Sequence, residues 1–168
     1  MAVEIASLVA ALGGEIVGKI RLQKVVYLLD RLGLDSGFSY AYHHYGPYSS
    51  ELSDAADVET YFGELKEEQR NRVSDGVPYV IFKSEKNIGN IGEGVGNLSV
   101  DDIGKYSSIM KAYTATELEL AATAYWLAHE EEVSDWRSEL KTRKGIKTER
   151  GRTDRAIELL DKLGLHLG

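Results

Sequence analysis

The chain contains no cysteine among its 168 residues. That absence excludes disulfide bonds, thiolate metal sites and cysteine nucleophiles, and it fits a reducing compartment. The apolar stretch near the N-terminus, IASLVAAL, is too short to cross a bilayer. The same region carries Glu4 where a secretion signal would carry positive charge. We therefore expect a soluble, cytoplasmic protein that makes no contact with a membrane.

Positive charge is scarce in the chain as a whole, which has a formal net charge of −7. A polyanion is therefore not the expected partner of the whole surface. Residues 137–155, called here the basic strip, are the exception, with a net charge of +5. Its candidate anion- or nucleic-acid-binding residues are Arg137, Lys141, Arg143, Lys144, Lys147, Arg150 and Arg152. The alternatives are a solvated connector and a strip that contacts phosphate.

A length of 168 residues predicts one domain with a sizeable core. We divide it into residues 1–84, a glycine-rich loop at 85–100 and a helical part at 101–168. The segment GKIRLQKVVYLLDRLGL predicts an amphipathic helix, preceded by a first helix that ends at Gly13-Gly14. In the helical part we expect three helices. The capping box formed by Thr114 and Glu117 opens one of them.

An aromatic-rich run, FSYAYHHYGPYSSEL, occupies residues 38–52. Residues 37–45 alternate with a period of two, which predicts a strand, and Gly46-Pro47 is expected to end it. A helix should follow, capped by Ser49 or Ser50. Residues 77–85 predict a second strand, whereas the polar residues 67–76 predict a connector.

Metal and hydrolase chemistry find little support in this run. His43 and His44 are neighbours on the predicted strand and point to opposite faces, so they cannot easily share one ion. A site would need His44 with Glu51 or Asp54, and we predict no metal, no cofactor and no catalytic residue. A metal-dependent hydrolase is kept as a minor alternative. The glycines at 89–96 match neither dinucleotide nor Walker patterns, and they predict a hairpin tip or linker.

Lys24 interrupts the apolar helix and shares a flank with Tyr27. One interpretation is a lysine whose stem packs while its ammonium group reaches water. The other is that Lys24 and Tyr27 face the aromatic run and hold it by hydrogen bonds or cation–π contact.

RLQKVVYLLDRLG followed by the Tyr-Gly-Pro turn resembles the YwgA-like proteins of bacteria and, more distantly, the Panacea antitoxin domain, which includes the SocA-type proteolytic adaptors. The residues that carry the resemblance are Leu22, Gln23, Lys24, Tyr27, Tyr45, Gly46, Pro47, Tyr48, Ser49 and Leu52, with Glu117, Leu118, Ala122 and Thr123 in the later helix. It implies a bacterial or phage protein that contacts a toxin, a protease or a host factor.

Together these observations predict a mainly helical α+β fold. A winged-helix-like N-terminal part with a small β-hairpin would pack on C-terminal helices. The expected function is a non-enzymatic protein-interaction module, antitoxin- or adaptor-like. The alternative is a winged-helix-type nucleic-acid-binding regulator, and a homodimer is left open. The predicted contact residues are Gln23, Lys24, Tyr27, Tyr42, His44, Tyr45, Gly46, Pro47, Tyr48 and Ser49.

Overall fold

A computed structural model describes residues 1–168 and confirms the mainly helical α+β class. Seven α-helices account for most of the regular structure. In chain order, α1 to α7 are Ile5–Ala11, Lys19–Arg31, Ser50–Tyr61, Val100–Met110, Ala115–His129, Trp136–Lys144 and Arg152–Leu163. None of these helices has the length and apolar character that a membrane crossing requires.

Seven short strands form three antiparallel units. In chain order, β1 to β7 are Glu15–Val17, Ala41–His43, Gly46–Tyr48, Lys66–Asn71, Pro78–Lys83, Gly94–Val95 and Leu98–Ser99. The largest sheet has the order β1-β5-β4, and β2–β3 and β6–β7 are separate hairpins. The sheet therefore joins an early strand to a later hairpin, with α2 and α3 between them in the chain.

Two strands of the largest sheet were absent from the prediction. Residues 66–71, most of which were predicted as part of a polar connector, form β4, whose side chains are all exposed or half-buried. An edge strand of that kind needs no apolar alternation, so its residues show no periodic signal. β1 has only three residues, which is too short for a period of two to be recognised. The predicted strand at 77–85 is confirmed as β5.

The prediction that Gly46-Pro47 ends the strand was wrong. The chain turns at His44 and Tyr45 and returns as β3, in which Pro47 lies opposite Tyr42. Proline fits because β3 is in a two-stranded hairpin, so its missing N–H can face away from the ladder. Ser49 then caps α3 by accepting a hydrogen bond from the Leu52 N–H, as expected.

The C-terminal part has four helices rather than three. The basic strip is not a connector: it forms α6, one turn of 3-10 helix at Gly145–Thr148 and the start of α7. The capping box of Thr114 and Glu117 is confirmed at the start of α5. The glycine-rich segment holds a 3-10 turn and the β6–β7 hairpin. There the backbone approaches so closely that a Cβ on Gly96 would lie 2.2 Å from the Leu34 carbonyl oxygen.

One hydrophobic core of 36 buried residues connects all these parts. α5 lies at its centre and packs against α2, α6, α7 and β3. At the other end, the Glu59 carboxylate of α3 accepts the N–H groups of Ile5 and Ala6, 2.7 and 2.8 Å away. Glu59 thus supplies the cap that α1 lacks in its own sequence, and burial raises its pKa.

Candidate functional site

The aromatic corner is defined here as residues 42–49, from the β2–β3 hairpin to the start of α3. Gln23 of α2 holds its last residue through both ends of its side-chain amide. Its Nε2 donates to the Ser49 carbonyl oxygen at 2.9 Å, and its Oε1 accepts the Ser49 N–H at 2.8 Å. The hydrogen bonds between β2 and β3 end at Tyr48, and α3 begins at Ser50. Between them, the Gln23 side chain supplies hydrogen bonds to the Ser49 backbone in place of ladder bonds. Gln23 is buried, and its role here is to fix the backbone.

Lys24 lies one residue further along α2 and does not reach water, since it is 1% exposed. Its Nζ donates to the Pro47 carbonyl oxygen at 2.5 Å. Burial lowers the pKa of Lys24 to about 8, and the carboxylate of Glu119 opposes that fall. Of the two interpretations of Lys24, the geometry matches hydrogen bonding to the corner.

A buried ion pair supports the same corner from the other side. The Glu119 carboxylate of α5 contacts Lys144 Nζ at 3.0 Å and Lys147 Nζ at 3.1 Å. Lys144 Nζ also donates to the His44 carbonyl oxygen at 3.1 Å. Burial lowers the pKa of Lys144. Three elements distant in the chain therefore converge on the hairpin.

Most of the basic strip is engaged within the protein. Arg143 forms a bidentate pair with Glu131, at 2.6 and 2.8 Å, and its guanidinium lies 4.8 Å from the Tyr42 ring centre. Arg137 pairs with Asp154, and Arg152 donates to two backbone carbonyls. The cations that have no protein partner are Lys141 and Arg150. That the basic strip contacts an anion stays a prediction. Two of its seven candidate residues have no partner within the protein.

Tyr27 is fully buried in α2, and its ring meets the Tyr40 ring edge-on at 5.1 Å. Arg31 stacks over the Tyr27 ring at 5.2 Å, and burial raises the pKa of the Tyr27 hydroxyl, which has no hydrogen-bond partner. Tyr27 packs near the aromatic run without presenting a surface to a partner.

The exposed part of the corner is the hairpin tip, defined as His43, His44 and Tyr45. The His43 ring packs on Tyr48 at 4.8 Å, and the His44 ring meets Tyr45 at 4.9 Å. Lys147 lies 4.8 Å from the Tyr45 ring centre, and Tyr45 remains 43% exposed. These contacts hold the rings in place while leaving one side of each open to solvent.

The ligand set considered for a metal does not assemble. No group of three or more histidine, aspartate or glutamate side chains lies close enough to hold an ion. Glu51 instead accepts the Ser39 N–H at 2.8 Å.

The sequence analysis missed Glu119 of α5 altogether, and for Thr123 it missed the packing role. Glu119 was visible as a single acidic residue within the apolar helix segment LELAATA, and such a residue usually has a buried cationic partner. Thr123 Oγ1 is buried without a partner against Gly46. Its packing role could not be read from sequence, because the contact is long-range.

Comparison with known proteins is consistent with the resemblance on one short segment. No family model matches the chain. A stretch of 40 residues is 42% identical to the Bacillus subtilis protein named "Uncharacterized protein YwgA". The match covers 24% of each chain, so it spans about a quarter of that relative's length. The chain is YwgA-like over that segment.

Lys24 should give the protein an unusual rise of stability with pH. Between pH 8 and 10.5 the unfolded chain keeps the lysine proton that the folded chain has lost, so stability rises through this window. The difference between the two pKa values corresponds to a gain in the free energy of unfolding of about 3 kcal/mol at most. Urea unfolding measured across this pH range should show that the free energy of unfolding of the wild type rises below pH 10. In Lys24→Met this rise should be smaller. Lys141→Met, at an exposed site, is the matched control, and an unchanged slope in Lys24→Met would contradict the assignment.

Gly46 should tolerate no side chain. Its φ is 89°, and a Cβ there would lie 2.4 Å from Thr123 Oγ1. We expect Gly46→Ala to lower the free energy of unfolding by about 2–4 kcal/mol, from a left-handed backbone plus overpacking. Gly63 has a similar φ of 80° but open space around it. Gly63→Ala therefore measures the cost of the left-handed backbone alone, without overpacking. The double variant Gly46→Ala with Thr123→Ala should recover part of the lost free energy of unfolding, because the smaller side chain leaves room for the Cβ. If the effects of the two single variants simply add in the double variant, the steric contact is refuted.

Proposed function

We propose that the protein is a protein-interaction module, antitoxin- or adaptor-like, that contacts its partner through the hairpin tip. The observation that supports this most is the combination of a fixed backbone with open aromatic rings. Carbonyl oxygens of His44, Pro47 and Ser49 are each held by a buried side chain. A surface that is already ordered loses little conformational entropy on binding, and tyrosine offers a large contact area.

A second exposed apolar cluster lies at the C-terminal end of α3. Val58, Tyr61 and Phe62 are 55%, 84% and 72% exposed, and the last two rings meet edge-on at 5.1 Å. Exposed aromatic residues of this kind are typical of interaction sites. The similarity to the Panacea domain stated above supports a toxin, protease or host factor as the partner.

A second candidate is a winged-helix-type nucleic-acid-binding regulator. The order α1-β1-α2-β2-β3-α3-β4-β5, with β1 beside β5, supports a winged-helix-like description of residues 1–84. However, α3 would be the recognition helix, and it carries four acidic residues and no lysine or arginine. Such a helix would be repelled by phosphate, which places this candidate second.

The hairpin-tip proposal predicts that Tyr45→Ala loses at least one partner in a pull-down from the native host. Truncating a central aromatic residue at an interface typically weakens binding tenfold or more, about 1–3 kcal/mol. Ile88→Ala, at an exposed position of the glycine-rich segment, is the control for a surface residue outside the tip.

Identical partner profiles for wild type and Tyr45→Ala would count against the tip. Circular dichroism should first show that both variants are folded. A gel shift with duplex DNA at low salt tests the second candidate, the nucleic-acid-binding regulator. That candidate requires DNA binding that weakens steeply as salt is added.

A further inference from the structure

Strand β1 lies at the edge of the three-stranded sheet, and only its inner side is paired, with β5. Two adjoining clefts of ≈ 820 and ≈ 1030 Å³ lie beside it, lined by residues of β1, of the two other strands of the sheet and of α2 and α4. Both clefts are lined by Val17, Arg21 and Ala115, so they form one continuous groove along the strand. An unpaired strand edge that faces an open groove is a template for another strand.

The hydrogen bonds at the two ends of β1 show which backbone groups are free. The Ser84 N–H donates to the Gly14 carbonyl oxygen at 2.9 Å, and the Gly18 N–H donates to the Val80 carbonyl oxygen at 2.8 Å. In an antiparallel ladder, residues that bond to the neighbouring strand alternate with residues that do not. Glu15 and Val17 therefore direct their N–H and C=O groups outward, and these groups have no partner outside the ladder.

The groove is cationic, although the chain carries a net negative charge. Six cationic side chains line it, namely Lys19, Arg21, Lys66, Arg72, Lys83 and Lys111. Three of them are paired with carboxylates, Lys66 with Glu85, Arg72 with Asp75 and Lys83 with Glu68. The other three have no carboxylate partner, and Glu15 is the one unpaired carboxylate in the lining. Lys19 and Lys111 are exposed and form no ion pair. This charge selects an anionic ligand and excludes a cationic one.

Apolar side chains complete the groove. Val17 is 45% exposed, and Ile20, Pro78 and Tyr79 line the same cleft. A bound strand would place alternate side chains against this apolar floor and toward the lysines.

We propose that the outer edge of β1 binds an extended acidic peptide segment of a partner protein, which adds to the sheet as a further strand. Outward donors and acceptors at every second residue match a peptide backbone. Nucleic acid would use the cations but leave these backbone groups unpaired. The site shares no residue with the hairpin tip, so it stands independently of the proposed function.

The test is fluorescence anisotropy with a short labelled peptide of alternating glutamate and valine, titrated with the full chain at low salt. The matched probe replaces each glutamate by lysine. We expect saturable binding of the acidic peptide, and binding of the lysine peptide at least about tenfold weaker. Equal binding of the two peptides, or no saturable binding of the acidic one, would overturn the proposal.

A backbone variant separates strand addition from charge alone. Val17→Pro removes an outward N–H that the β5 ladder does not use, so the sheet should persist. Val17→Pro should weaken binding of the acidic peptide about tenfold. Val17→Thr keeps the N–H, so its affinity for the peptide should stay within about twofold of the wild-type value. Charge reversal by Lys19→Glu with Lys111→Glu should weaken binding and flatten its salt dependence. Unchanged affinity in Val17→Pro, with the fold verified by circular dichroism, would refute the added strand.

Two other occupants give distinct results. A labelled DNA duplex that binds more tightly than the acidic peptide would assign the groove to nucleic acid and overturn the proposal. A dimer in analytical ultracentrifugation that Val17→Pro dissociates would assign the edge to a second copy of the chain. Partner capture through Tyr45 is unaffected by either result, so the two proposals fail separately.

Discussion

The corner depends on one costly arrangement, a lysine ammonium group buried against the Pro47 carbonyl oxygen. Burying a cation without compensation costs several kcal/mol, so its surroundings must supply opposite charge and acceptors. The carbonyl of Pro47 accepts directly, and Glu119 contributes a negative charge that it shares with Lys144 and Lys147. Removing Glu119 would leave the buried ammonium groups of Lys24 and Lys144 without an opposite charge.

This constraint explains why a hairpin of two three-residue strands is ordered at all. Isolated two-stranded hairpins are marginal in water. Here Gln23 fixes one end of the hairpin, Lys24 its second strand and Lys144 its turn, each through a backbone carbonyl. The partners lie on α2 and α6, which are far apart in the sequence. The hairpin is therefore held in place by tertiary contacts rather than by its own ladder bonds.

The parts of the fold predicted from sequence are those whose signal is local. The apolar stripe of α2, the Ser49 cap and the capping box of α5 arise from residues within a few positions of each other. β1 and β4 escaped prediction because one is very short and the other is polar on both faces. The motif residues Gln23 and Lys24 were identified, but the pairing of Glu119 with Lys144 and Lys147 was not, because an ion pair between α5 and α6 leaves no periodic pattern. The basic strip looked like a solvated segment for the same reason.

Pairing inside the protein also determines which surfaces are left for partners. Because Lys144, Lys147 and Arg143 are used in holding the corner, lysines and arginines without a carboxylate partner lie elsewhere. Lys19 and Lys111 lie beside β1, and others, such as Lys105, Lys141 and Arg150, lie on the remaining surface. The corner engages its own cations with Glu119, Glu131 and a backbone carbonyl, so aromatic area is what the hairpin tip presents to a partner, whereas unpaired lysines flank β1.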